Sequence, residues 1–380
     1  MDNYRDCAVD APEGTTLTQR QLNYALLARQ LLLERSPMQV TDALEHLVGM
    51  QSQVPSDPYI GLWSRLEGFA TDELSRIMQD RAAVRASLMR GTIHLVTVAD
   101  YLVLQPVMQA LHERVFPRTD QGKRLDPAHV PEILEAGREM LAETPLSMKA
   151  LAARLAERWP DRDPGGMAQA VRFLLPLVQV TPRGIWGASH GATWAIAEQW
   201  IGQAIPNSST PDAVLLRYLA AFGPATVADM QAWSGLQGVR AVVEHMRPHL
   251  RVYRNEKGQE LFDVLGAPLP DPESPAPVRF LPGFDNALLS HADRTRIIAE
   301  EHRKAIGSRN GLFLSTVLVD GFVAATWGIE KTKGKAVLRI VPFTALSPRD
   351  HDAIQAEGER LLVFLAGGLS HEVVIASGAG

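Results

Sequence analysis

The sequence predicts a mixed α+β fold in which helices and β-hairpins are grouped and do not alternate as βαβ units. Helix, helix and hairpin follow one another three times before residue 268, which is the outline of about three winged-helix modules. Residues 311–343 then contain three β-rich runs, separated by Asp320-Gly321 and Lys333-Gly334. Asp-Gly between apolar runs is a strong signal for a tight hairpin turn. The chain is therefore expected to end in an antiparallel meander, closed by a helix at 349–366.

The first module is predicted over residues 15–118. Apolar residues recur at helical spacing after a leader, with Thr18 as the predicted N-cap. Two β-type runs on either side of Arg90-Gly91 predict the first hairpin. Helices are predicted at 17–34, after a cap at Thr41, at 59–66 and at 71–80.

The second and third modules, residues 119–202 and 203–268, repeat this outline without aligning in sequence. The second is predicted to have a helix capped by Ser147, another at 166–178, and strands on either side of a turn at Pro182-Arg183-Gly184. The third has predicted helices at 211–223, 226–236 and 238–250, and then a hairpin at 250–264. A Pro-rich linker at 266–277 leads into a C-terminal α/β region, residues 269–380.

Composition limits the class of protein. The chain has 380 residues, of which 46% are hydrophobic and 21% charged, as is typical of a globular protein of several domains. A single cysteine, Cys7, excludes an internal disulfide framework and a Cys-based zinc site. The N-terminus lacks signal-peptide features, and no apolar run approaches the roughly 18–20 residues of a membrane span. These features predict a cytoplasmic protein. The net charge of −5 argues against coating nucleic acid by charge alone.

Familiar enzyme motifs are absent or lack their context. Residues 187–191, "GASHG", match the nucleophile elbow of α/β-hydrolases, but no βαβ pattern surrounds them. Ser189 is instead predicted to cap a helix at 192–200. The sequence has no phosphate-binding P-loop and no H-E-x-x-H motif, and its histidines are not at ligand spacing. No metal and no cofactor are expected.

Basic residues occur at all three predicted hairpins, where they are suited to contact DNA phosphates. In the first hairpin, Arg90, Thr92 and His94 are predicted to face DNA, and Arg183 at the second turn is predicted to bind phosphate. The alternative for each residue is a solvated charged turn.

Residues 281–303 combine polar and charged side chains that are unusual for a linker. Asp285, Asn286, His291 and Arg294 are predicted to contribute to DNA binding. The alternative is a hydrogen-bonded structural junction with local pairing of Asp293 and Arg296.

Two neutral amides, Gln51 and Gln53, follow a predicted helix in "MQSQVP", and Pro55 and Pro58 restrict the loop after them. Alone, this pattern is compatible with a polar helix end. With "MQSQVPSDPYIGLWSRL", "SLMRGTIHLVTVADYLVL", "TPRGIWG", "FGPATVADMQAWSGL" and "LPGFDNALLSHADRTRIIAEEHR", however, the chain resembles the AlkZ/YcaQ winged-helix DNA glycosylases over about residues 17–365.

The resemblance implies tandem winged helices curved into a C-shaped DNA channel and removal of N7-alkylated purines from double-stranded DNA. It assigns catalysis to Gln51 and Gln53, and Gln53 places the chain in the AlkZ branch, which acts on bulky adducts and interstrand crosslinks of natural products. Ser52 departs from the apolar residue usual between the two glutamines. No lysine is near the motif, so hydrolysis without strand cleavage is expected. The protein is expected to be a monomer.

Two other functions are compatible with the same pattern. Winged helices commonly belong to transcriptional regulators, so a non-catalytic DNA-binding protein is the main alternative. A scaffold in which the hairpins pack on one another is the second.

Overall fold

The computed structural model describes residues 14–206, 209–307 and 313–377, so Cys7 lies outside the described residues. The fold is mixed α and β, as predicted. The helices are α1 (Gln19–Arg29), α2 (Val40–His46), α3 (Asp57–Arg65), α4 (Thr71–Gln79), α5 (Val98–Val115), α6 (Val130–Glu143), α7 (Met148–Arg158), α8 (Pro164–Leu174), α9 (Ala197–Ile201), α10 (Pro211–Phe222), α11 (Val227–Ser234), α12 (Val239–Met246), α13 (Asn286–Leu289), α14 (Glu300–Ile306) and α15 (Pro348–Ala366).

The strands form three sheets. They are β1 (Thr16–Leu17), β2 (Met50–Gln51), β3 (Ala83–Ser87), β4 (Ile93–Thr97), β5 (Leu177–Gln179), β6 (Trp194–Ile196), β7 (Leu250–Asn255), β8 (Glu260–Val264), β9 (Arg279–Leu281), β10 (Ser315–Val319), β11 (Phe322–Thr332), β12 (Lys335–Pro342) and β13 (Ser370–Ile375).

The first two predicted hairpins share one sheet, with strand order β2-β4-β3-β5-β6. The β3–β4 hairpin is confirmed, and β3 also pairs with β5, where Arg85 is opposite Gln179. This pairing joins the predicted first and second modules. The pairing of β4 with both β2 and β3 places β4 in the interior of the sheet.

The second hairpin differs from its prediction. The strand that pairs with β5 is β6, and residues 180–193 form a long turn region between them. The helix predicted at 192–200 is wrong, because Trp194–Ile196 is a strand and α9 begins only at Ala197. Ser189 therefore caps no helix there. The aromatic and β-branched side chains of this strand are buried, which favours pairing over helix.

The third hairpin, β7–β8, is confirmed in antiparallel register. Strand β1 adds to its edge in parallel and completes a three-stranded sheet. The C-terminal meander β10–β11–β12 and the closing helix α15 are confirmed as well. The sequence prediction lacked the two outer strands of this sheet, β9 and β13; β13 pairs in parallel with β12.

Helix ends follow capping chemistry. Thr18 accepts a hydrogen bond from Gln21 N–H in a capping box, and Ser147 caps α7, both as predicted. Thr41 is not a cap; it lies inside α2, whose N-cap is Gln39. Within the described ranges, no helix is long and apolar enough to cross a membrane.

Candidate active site

Gln51 lies on the two-residue strand β2, at the edge of the first sheet, directly opposite His94 of β4. Its N–H donates to Asn286 Oδ1 at 3.2 Å, and the Asn286 side-chain amide donates to Gly49 O at 2.8 Å. The backbone of β2 is therefore supported from two sides, by β4 and by the start of α13.

The side chain of Gln51 is nearly buried, with 6% of its surface exposed. Its Oε1 accepts a hydrogen bond of 2.7 Å from Arg90 Nη2, and Arg90 Nη1 donates to Trp233 O at 2.8 Å. Because a guanidinium group can only donate, the amide atom that faces Arg90 must be the oxygen. The orientation of the Gln51 amide is thereby fixed.

Ser52 is fully buried. Its N–H donates to Ile93 O at 2.7 Å, while its Oγ and its carbonyl oxygen accept from the two terminal nitrogens of Arg85 at 2.7 and 2.8 Å. A hydroxyl between the glutamines thus has a specific partner, and the departure from an apolar residue is explained by Arg85.

Gln53 is exposed, in contrast to Gln51. Its Oε1 accepts a long hydrogen bond of 3.4 Å from Ile93 N–H. This weak contact leaves most of the hydrogen-bonding capacity of the amide available to solvent or to a bound molecule.

Two arginines dominate the electrostatics around this segment, Arg85, which is buried, and Arg90, which is partly buried. Burial lowers the pKa of Arg85 and of Arg90 to about 10 each, with smaller contributions from Arg183 and Arg294 respectively. Burial, followed by the charge of Arg90, lowers the pKa of His94 to about 3. His94 is therefore neutral at pH 7, and both arginines remain charged.

The residues of the first two hairpins that are predicted to contact DNA have partners inside the protein. His94 is fully buried, with Nδ1 3.1 Å from Thr92 O, and the Thr92 hydroxyl donates to Met89 O at 3.1 Å. Arg183 lies in the β5–β6 turn, partly buried, and donates to His190 O at 2.8 Å. Their contact with DNA stays a prediction.

Residues 281–303 form a hydrogen-bonded junction. Asp285 makes a bidentate ion pair with Arg65 at 2.7 and 2.8 Å, and both side chains are buried. His291 is buried between the Ser290 hydroxyl and Phe222 O, each 3.1 Å away. Burial, followed by the positive charge of Arg296, lowers the pKa of His291 to about 3.

The remaining charged residues of this junction bond to other elements. Arg294 is partly buried above the Phe313 ring, with 5.6 Å between its guanidinium carbon and the ring centroid. Asp293 pairs with Lys257 of the third hairpin at 2.8 Å, and Arg296 donates to Pro224 O at 2.9 Å. Asp293 and Arg296 thus bond to other elements, and within the described residues the expected local pair between them is not formed. A DNA contact by the residues of this junction stays a prediction.

Asp57, near the glutamines, was not singled out from the sequence, and Arg85 was grouped only with the basic residues around the first hairpin that are suited to phosphate contact. Asp57 begins α3, four residues after Gln53, and burial raises its pKa to about 7. The signal for Arg85 was a charged residue within the apolar β-type run 83–89. In the described parts of the chain, no group of three His, Cys, Asp or Glu side chains could hold a metal ion.

Comparison with known proteins identifies the family. Residues 44–364 match the family described as DNA glycosylase AlkZ-like. A curated interstrand DNA cross-link repair glycosylase of Streptomyces sahachiroi is 26% identical over 350 residues, covering 85% of this chain and 90% of that protein. The solved structure of S. sahachiroi DNA glycosylase AlkZ has a TM-score of 0.78 at 22% identity, covering 95% of this chain and all of that one. Because the family match spans most of the sequence, the chain belongs to the AlkZ-like DNA glycosylase family.

Proposed function

We propose that the protein is a monofunctional DNA glycosylase that hydrolyses the N-glycosidic bond of cationic N7-alkylated purines, with Gln51 and Gln53 positioning the water. The observation behind the proposal is the pair of amides on one short segment. Gln51 is held by Arg90 and Gln53 is exposed beside it. Bulky natural-product adducts and interstrand crosslinks are the proposed natural lesions, because the related Streptomyces protein is named for cross-link repair.

The chemistry needs no strong acid. An N7-alkylated purine is already positively charged. When the bond to the sugar breaks, the base keeps the bonding electrons and leaves as a neutral molecule. The sugar develops oxocarbenium character, and a water completes the hydrolysis. The protein must therefore hold that water and supply fixed dipoles, and neutral amides do both without pKa tuning.

The two glutamines differ in what they offer to the water. Gln53 Oε1 has only a weak protein donor, so it is the proposed main acceptor of the water's hydrogen bond. Gln51 Oε1 already accepts from Arg90 and has one further lone pair. The first lysine of the sequence is Lys123, far along the chain from the motif. This supports hydrolysis without a Schiff base.

For DNA binding we propose tandem winged helices around a DNA channel. Arg183 and Arg294 are the proposed phosphate contacts, because both are only partly buried. Buried residues such as His94, Asp285 and His291 are proposed to maintain the shape of this surface. The protein is proposed to act as a monomer.

The test is incubation with a DNA duplex that contains N7-methylguanine, followed by alkaline cleavage of abasic sites. Wild type is expected to release the base, whereas Gln51→Ala and Gln53→Ala are expected to be slower by about a hundredfold, as for loss of a positioned catalytic group. A neutral lesion should be released poorly. Equal rates for wild type and both variants would remove the glutamines from the mechanism. Salt-sensitive binding without release of this base or a natural-product adduct would instead favour a regulator.

A further inference from the structure

We infer that Arg85 and Arg90 are positioning residues of the reaction, which fix the segment from Gln51 to Gln53 through two guanidinium contacts. Both come from the β3–β4 hairpin and its turn, and each contacts a different residue of the segment. The inference rests on the proposed function, because positioning matters only if the glutamines act on the water.

Arg90 holds the side chain of Gln51. Its guanidinium is anchored on the opposite side by Trp233 O at the end of α11, so it cannot follow Gln51 if that residue moves. Arg90 has a left-handed backbone, with φ of 57°, in the turn Met89–Gly91. A non-glycine residue in this conformation costs about 1–2 kcal/mol. The contacts of the side chain offset this cost and fix the position of the Gln51 oxygen.

Arg85 holds the backbone that precedes Gln53. Two of its nitrogens bind Ser52, and its Nε donates to Gln179 Oε1 at 3.2 Å. All three acceptors are neutral oxygens. A buried cation with neutral partners contributes less to stability than a well-packed apolar side chain would. What Arg85 provides is a fixed position for Ser52, and hence for the next residue, Gln53.

The consequence for the reaction is geometric. A displacement of about 1 Å of a group that positions a reactant can slow a reaction about a hundredfold. Loss of either arginine should therefore lower the rate of the chemical step and leave DNA affinity nearly unchanged. A residue that binds phosphate would show the reverse.

The experiment measures single-turnover release of N7-methylguanine and, separately, the Kd for the same DNA. Arg85→Met and Arg90→Met are expected to lower the rate at least about tenfold, with Kd changed less than about twofold. Arg85→Lys, which keeps the charge but on a single donor nitrogen, should be intermediate. Arg279→Met is the matched control, because Arg279 is also buried and donates to Leu32 O. It is expected to leave the rate unchanged.

If Arg85→Met does not fold, Ser52→Ala removes the hydroxyl part of the contact from the other side, while the carbonyl oxygen of residue 52 still accepts from Arg85. Ser52→Ala should lower the rate several-fold and Ser52→Thr should retain it. Ser52→Ala combined with Arg85→Met should be no slower than Arg85→Met alone, because Arg85→Met already removes the hydrogen bond to Ser52 Oγ.

Several outcomes overturn the inference. If both arginine variants react at the wild-type rate while Gln51→Ala and Gln53→Ala are slow, the inference is overturned and the proposed function stands. Weaker DNA binding at an unchanged rate would also overturn it and assign the arginines to DNA. Wild-type rates for the glutamine variants would overturn the proposed function and this inference together.

Discussion

Gln53 is the position in the segment that is best suited to the introduction of a charge, because its side chain is exposed and has only one long hydrogen bond. A carboxylate there would avoid the cost of burial and attract the developing positive charge of the sugar. The attraction between unit charges about 4 Å apart is about 1–4 kcal/mol, from bulk water to a protein surface. At the lower end of this range, about 1 kcal/mol, Gln53→Asp is expected to release N7-methylguanine at least about fivefold faster than wild type.

The matched control is Gln51→Glu. A carboxylate at that position would pair with Arg90, which would neutralise its charge, so no acceleration is expected. Single-turnover release by both variants, at saturating enzyme and one pH, makes the comparison. A rate for Gln53→Asp as low as that of Gln53→Ala would contradict the electrostatic argument.

Asp57 is a buried carboxyl group whose ionisation weakens the fold. Burial raises its pKa to about 7; the Phe284 N–H lowers it, the charge of Asp285 raises it, and Arg85 lowers it. An aspartate in an unfolded chain titrates near about 3.9. The folded protein thus binds this proton more tightly. Between about pH 4 and 7, the free energy of unfolding should fall as pH rises, by up to about 1.4 kcal/mol per pH unit.

Asp57→Asn removes this titration and keeps an oxygen for the Phe284 N–H. Relative to wild type, the variant should gain about 2–3 kcal/mol of stability between pH 5 and pH 8. Urea unfolding of both proteins at the two pH values measures the gain. A difference between the proteins that is the same at both pH values would show that Asp57 does not titrate in this range.

At single residues, the sequence was informative where chemistry is local and uninformative where it depends on pairing. Gln51 and Gln53 were singled out through the family resemblance, and their catalytic role stays a prediction. The contact of Arg85 with Ser52 joins residues 33 positions apart across a sheet, so no local pattern could predict it. His94 was expected to face DNA by strand alternation, but β4 is an interior strand whose residues are all buried.

At the scale of elements, the prediction succeeded for hairpins with a clear turn and failed for one long helix and for two outer strands. The tips at Asp320-Gly321 and Lys333-Gly334 were placed correctly. The 18-residue helix α5 was not predicted, because its apolar side chains are not confined to one face and Pro106 lies within it. The outer strand β9 has only three residues, and in the described part of the chain β13 pairs with β12 alone, so both depend on the sheet that they join.

Gly49 determines how the chain enters β2. Its φ is +78°, and a Cβ there would lie 2.4 Å from Val96 Cγ1 and 2.8 Å from Leu95 O. Gly49→Ala should cost about 1–2 kcal/mol for the left-handed backbone and more for the contacts with β4. Because β2 bears Gln51, release of N7-methylguanine should also slow.

Gly68→Ala separates the cost of the left-handed backbone from the cost of the contacts with β4. Gly68 also has a positive φ, of +62°, but a Cβ there would meet nothing within 4 Å. Urea unfolding should therefore show a smaller loss for Gly68→Ala than for Gly49→Ala, and the rate of base release should not change. Equal losses would mean that the contacts of Gly49 with β4 relax without cost.

At the scale of the whole molecule, buried ion pairs join segments that are far apart in the sequence. Arg29 of α1 pairs with Asp263 of β8 at 2.6 Å, with both side chains 1% exposed. Arg65 of α3 pairs with Asp285, which caps α13, across 220 residues. Such pairs constrain how the N-terminal helices lie against the later sheets. Composition cannot predict them, because many carboxylates are available to each arginine.

The Arg65–Asp285 pair distinguishes a structural role for Asp285 from its predicted role in DNA binding. Removing one partner leaves the other charge buried, so Asp285→Ala should cost about 3–5 kcal/mol of unfolding free energy. The exposed pair Arg339–Glu330 is the control, and Glu330→Ala should cost at most about 1 kcal/mol. Replacing both partners by apolar residues, Arg65→Met with Asp285→Leu, should recover much of the loss, because no unpaired charge remains. Urea unfolding and DNA Kd are measured on the same preparations. Weaker DNA binding by Asp285→Ala at unchanged stability would instead place this carboxylate at the DNA.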